Sequence, residues 1–80
     1  MIEQILGILS EIRPEFDFLD SDNFIIDGLL DSFDIISLIS ILEEKYSISI
    51  DGLDIVPENF FSVDAIMELV KKSGGNSDDN

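Results

Sequence analysis

Apolar residues return at steps of three and four in three separate stretches, and that spacing commits most of this chain to helix. Ile2, Ile5, Leu6, Leu9 and Ile12 form the first stripe. Ile35, Leu38, Ile39, Leu42 and Tyr46 form the second, and Val63, Ile66, Met67 and Val70 the third. The isoleucine-rich run from Ile35 to Ile50 favours strand on propensity alone, but its period is helical. Pro14 marks the end of the first helix, because the residue before a proline disfavours helical geometry. A second helix starts at Asp31 or Ser32 and runs to about Tyr46. Ser62 suits the N-cap of a last helix ending at Lys71–Lys72, where basic residues meet the negative end of the dipole. Pro57, Glu58 and Asn59 suit a short third helix or a lone helical turn near Phe60. The expected fold is all-α, a small four-helix bundle with a long loop between helices 1 and 2 and a short third helix. It occupies residues 1–72, and residues 73–80 are expected to be a disordered tail.

The long loop is the odd part of that plan. No period holds between Pro14 and about Asp31, where Phe16, Phe18, Leu19, Phe24, Ile25, Ile26, Leu29 and Leu30 are scattered among acids and Gly28. Connections this long are unusual in a small domain and usually carry function. Its apolar residues imply that it packs over the core. The stretch from Ser47 to Pro57 is a second, shorter loop, with Ile48 and Ile50 as anchors and Gly52 as a turn residue.

Composition narrows the chemistry. The 80 residues include no Cys and no His. Disulfides, the usual zinc ligand sets, His-based acid–base work and Ser-His or Cys-His nucleophile pairs are therefore out of reach. Eighteen acids stand against four bases, Arg13, Lys45, Lys71 and Lys72, for a net charge of −14. Such a field repels nucleic acid and anionic membranes and favours basic partner surfaces, although it also serves solubility alone. No basic leader and no apolar run of about 20 residues is present, so no membrane insertion and a cytoplasmic location are expected.

The second helix has apolar residues in two places. Ile35, Leu38, Ile39, Leu42 and Tyr46 fall within one arc of roughly 100°, as a core stripe does, with Ile41 on its flank. Phe33 and Ile36 lie outside that arc, with Ser40 between them. Ser37, Glu43 and Glu44 share this outer half, and Asp34 sits near its N-terminal edge. Two explanations stand: either the long loop folds back over Phe33 and Ile36, or they form an exposed strip with an acidic rim. Protein interfaces have the second character, and the rim would guide partners carrying Arg or Lys.

The segment Asp27-Gly28-Leu29-Leu30-Asp31-Ser32-Phe33-Asp34 ends the long loop and opens this helix. Asp31 and Ser32 both suit a helix cap. Ser32 also lies where free backbone amides and the helix dipole favour a phosphodiester. Gly28-Leu29-Leu30-Asp31-Ser32-Phe33-Asp34 resembles the phosphopantetheine attachment motif of acyl carrier proteins, usually Asp-Ser-Leu. The resemblance extends over about Met1 to Lys72 and takes in Asn23-Phe24, Leu42-Glu43-Glu44-Lys45-Tyr46, and Pro57-Glu58-Asn59-Phe60 followed by Ser62-Val63-Asp64-Ala65-Ile66. The Leu-Leu before Asp-Ser and the Asn-Phe before the last helix are more similar to the stand-alone aminoacyl and D-alanyl carriers than to the fatty-acid type.

The resemblance implies a monomeric, non-catalytic carrier. A phosphopantetheinyl transferase would move 4′-phosphopantetheine from coenzyme A to the Ser32 hydroxyl, with Asp31 beside it. A loading (adenylating) enzyme and downstream acyl-transfer or condensing enzymes would follow as partners, facing Phe33, Asp34, Ile36, Glu43 and Glu44. Phe33 replaces the usual Leu, and Ser37 stands where fatty-acid carriers often have an acid, which weakens a fatty-acid role. The alternative is an armless module of the same fold, binding partners through Phe33, Ile36 and the acids. Calcium binding in the loop is a third reading. Asp20-Ser21-Asp22 opens like an EF-hand, but Phe24 and Ile25 occupy positions that need a ligand and the Gly. The sequence names no cargo and shows no substrate pocket.

Overall fold

The three periodic stripes become three α-helices, and the second and third begin where side-chain caps stand. The computed structural model describes residues 1–74, with α1 at Ile2–Ile12, α2 at Ser32–Tyr46 and α3 at Val63–Lys72, and no strand among the described residues. The all-α expectation is met. Most of the tail expected beyond Lys72 lies outside the described residues. Ser73 still closes α3, its N–H donating to the Leu69 carbonyl. At the other end of α3 the Ser62 hydroxyl accepts from the Ala65 amide at 3.1 Å, a conventional N-cap.

α1 packs against both α2 and α3, so it must bury a wider arc than one neighbour would require. Ile5 and Leu9 are fully buried and Ile8 joins them, while Ile2, expected in the stripe, is 45% exposed. α3 is turned in the same way: Ile66, Leu69 and Val70 are buried, and Met67 is only partly so. α2 contributes Leu38 and Leu42, both at 0% exposure, with Ile35, Ile39 and Tyr46 packed around them. Burying each such side chain stabilises the fold by roughly 1.5–3 kcal/mol.

The 13–31 connection is built into this core. Phe18 and Phe24 are buried, and their rings meet edge to face at 5.1 Å. The Phe24 N–H donates to the Phe61 carbonyl at 2.8 Å, and the Phe24 carbonyl accepts from Leu29 at 2.8 Å and Leu30 at 3.3 Å. Asn23 starts this turn by accepting the Ile25 and Ile26 amides on its side-chain oxygen. Gly28 completes it at φ +76°, a conformation that L side chains rarely adopt.

The short third helix is the one element that the structure reduces. The stretch after α2 holds two separate 3-10 turns, Gly52–Asp54 and Pro57–Asn59. Val56 is extended, at φ −134° and ψ 153°, as the residue before a proline prefers, and this breaks any continuous helix. Neither turn contains a buried residue. Phe60 follows them and is fully buried.

Candidate functional site

The start of α2 is fixed by a reciprocal cap. An Asp31 carboxylate oxygen accepts from the Asp34 amide at 2.9 Å, and an Asp34 carboxylate oxygen accepts from the Asp31 amide at 3.0 Å. Two free helical N–H positions are thus met by two acids. This resolves which residue caps the helix: Asp31 is the N-cap, and Ser32 is the first helical residue. The Ser32 hydroxyl is not needed for capping, and the residue is exposed.

The caps carry electrostatic consequences. The amide of Asp34, donating to Asp31, holds the Asp31 carboxyl below the usual carboxylate range, with Arg13 adding to the effect. A depressed folded value makes this contribution fully present above the ordinary carboxylate range. It is lost as pH falls through that lowered value.

The outer half of α2 divides in two. Phe33 is 80% and Ile36 60% exposed, so the long loop does not fold over them. Glu44 is exposed as well. Asp34 and Glu43, expected to face partners, are instead engaged with the protein itself. Asp34 is buried to 8% exposure and ties to Arg13. Its place in the first turn makes it the N3 half of the cap, which draws it inward. The Glu43 carboxylate accepts from the Ile50 amide at 2.9 Å, anchoring the chain that leaves α2. That exit uses Ser47 in the left-handed region at φ 55°.

Beside Ser32 lies a groove that the sequence did not reveal. It has a volume of about 270 Å³ and is lined by Ser32, Ile35, Ile36, Ile55, Val56, Pro57 and Phe60. Ile35 and Ile36 come from α2 and the remaining apolar wall from the second connection, so helical period alone could not bring them together. A second hollow of about 340 Å³ lies across Pro57, between Ile25, Ile26 and Phe61.

Arg13 is the other residue that sequence reasoning passed over. Its Nε donates to Asp34 at 2.9 Å, one terminal nitrogen reaches Asp31 at 3.3 Å, and the other reaches Glu15 at 3.4 Å. Its neighbours raise its already high pKa further, the Asp34 hydrogen bond most of all. The available signal was scarcity: it is the one arginine in a chain with four bases.

No group of three or more potential metal ligands occurs among the described residues, and none of their helices is long and apolar enough to cross a membrane. Set against protein-family models, curated protein sequences and solved structures, the chain finds no match in any of the three.

Proposed function

We propose that this chain is a carrier that holds an acyl or aminoacyl group on a 4′-phosphopantetheine arm attached to Ser32. One observation carries the reading. An exposed serine, relieved of capping by Asp31, opens a 15-residue helix directly beside an apolar groove. These residues fit the group. The Ser32 hydroxyl offers the attachment oxygen, and the first-turn amides favour its phosphodiester. The groove walls Ile36, Ile55 and Val56 offer apolar surface next to it. The arm's terminal thiol supplies the thioester link to the cargo.

The chain's own residues present rather than transform. Without His or Cys it lacks the common nucleophile–base pairs, so reaction steps fall to partner enzymes. The partners would be a phosphopantetheinyl transferase, an adenylating loading enzyme, and acyl-transfer or condensing enzymes. Of the residues expected to face them, Phe33, Ile36 and Glu44 are exposed on α2. The architecture would be that of a carrier bundle whose short third helix is reduced to 3-10 turns.

The test is intact-protein mass spectrometry after incubation with a broad-specificity transferase and coenzyme A. Wild type should gain one arm and Ser32→Ala none. A wild type left unmodified by several such transferases would sink the carrier reading in favour of the armless module, as would modification that survives in Ser32→Ala.

A further inference from the structure

The cap that starts α2 is made of two acids, and this creates a problem that the structure answers. Asp31 and Asp34 exchange hydrogen bonds within one helical turn, which brings two carboxylates close together. In a chain of net charge −14 such a pair repels itself and its surroundings. Arg13, at the C-cap of α1, inserts its guanidinium between them. Three carboxylate oxygens share the contacts. One Asp31 oxygen takes the Asp34 amide and the other takes Arg13 at 3.3 Å. A single Asp34 oxygen takes both the Asp31 amide at 3.0 Å and Arg13 Nε at 2.9 Å. The planar, five-donor fork of arginine holds this double task in a fixed geometry, which the rotatable donors of a flexible lysine match less well.

The same contact joins two elements. Arg13 leaves α1 just before Pro14, and its partners stand at the opening of α2 across the whole long loop. Between Asp31 and Asp34 lie only Ser32 and Phe33. We infer that Arg13 is a positioning residue for Ser32: it neutralises the acid–acid cap, keeps the first turn of α2 closed, and so holds the serine where an arm-transferring enzyme meets it. The inference rests on the carrier reading for its enzymatic consequence and on the cap geometry alone for its structural one.

Removing the guanidinium leaves the two acids facing each other, and the first turn spends more time open. A competent state that is only partly populated weakens apparent binding by that fraction. The cost should therefore appear in KM for the carrier and leave kcat in place.

The experiment compares wild type, Arg13→Lys, Arg13→Gln and the double variant Arg13→Gln/Asp34→Asn, each as the full chain. Amide hydrogen exchange and arm-transfer kinetics are read on each. In Arg13→Gln the Asp34 and Ile35 amides, which report the cap, should exchange about three- to tenfold faster relative to Leu38 and Leu42 in the same helix, about the size of a lost cap. KM should rise as well, by a smaller factor, because it follows the fraction of closed turn while exchange follows the fraction that is open. Arg13→Lys should recover part of both. Asp34→Asn, whose side-chain oxygen can still accept from the Asp31 amide, should recover part of both in the double variant by removing one of the opposed charges. Wild-type exchange and KM in Arg13→Gln would overturn the inference. So would acceleration spread evenly through α2 and α3, which signals general loss of stability. If Arg13→Gln does not fold, the local exchange ratio in Arg13→Lys decides in the same way. If wild type accepts no arm at all, the carrier reading falls, and the exchange ratios decide the role of Arg13 at the cap by themselves.

Discussion

The two connections that flank α2 are built on opposite principles, although both border the surroundings of Ser32. The 13–31 connection buries Phe18, Phe24 and Leu30 and satisfies both backbone groups of Phe24. The connection from Ser47 to Ser62 buries only Ile50 and Phe60; between them residues 51–59 bury nothing, and Leu53 is 86% exposed. This stretch is held by polar hooks: Lys72 to the Asp54 carboxylate at 2.8 Å, and the Asn59 side-chain amide to the Asp54 carbonyl at 2.7 Å. A long aperiodic segment can therefore be core, and a short one can be a loosely tied wall. Apolar burial and polar tethering differ in cost by several-fold per residue, so the difference should be measurable.

The largest effect should come from Phe24→Ala. It removes a ring at 1% exposure and leaves a cavity beside Phe18, at a cost of about 3–5 kcal/mol. That is a large share of a small domain's stability, and chemical denaturation should show it. A loss below about 1 kcal/mol would mean that the long connection is not core, and the contrast would collapse. Gly28→Ala should be intermediate. There is open space for the new methyl group, so the cost is conformational, about 1 kcal/mol for a left-handed residue without glycine's freedom. An unchanged melt would show that the turn can relax without loss.

The smallest effect should come from Lys72→Met, which unhooks Asp54. Lys72 is 65% exposed, so the global change should stay within about 0.2–1 kcal/mol. The sharper readout is protease susceptibility at 52–56, which should rise while the rest of the chain stays resistant. Equal protection there before and after the substitution would show that the wall is held by its groove contacts and that the polar hooks are incidental.

Much of this architecture is legible in the residues themselves. Period and caps place α2 from Asp31 or Ser32 to about Tyr46 and end α3 at Lys71–Lys72 after the Ser62 cap, close to the observed Ser32–Tyr46 and Val63–Lys72, because helix ends are local chemistry. The exposure of Phe33 and Ile36 follows from their angle on the helix, once the loop is known to lie elsewhere. What period cannot convey is pairing across distance. Asp34 reads as an outer residue until Arg13, from another helix, claims it. Ile55 and Val56 look like loop residues until they face Ile36 across a groove. Ile8 and Leu69 are buried because their helices meet partners that no local stripe specifies. Of the candidate site, the exposed serine was readable from its motif, and the arginine and the groove beside it were not.

The hydrogen bond from Phe24 to Phe61 also sets an order of assembly. A helix can form from its own residues as soon as they exist, but a contact between distant residues must wait for loop closure. The turn that delivers Gly28, Asp31 and Ser32 is pinned by a residue whose partner stands just before α3. During synthesis, Ser32 emerges long before Phe61 does. Its chemical group is available early, but its setting is not. On the carrier reading proposed above, an enzyme that recognises the setting would act on finished molecules, and nascent chains would pass it by.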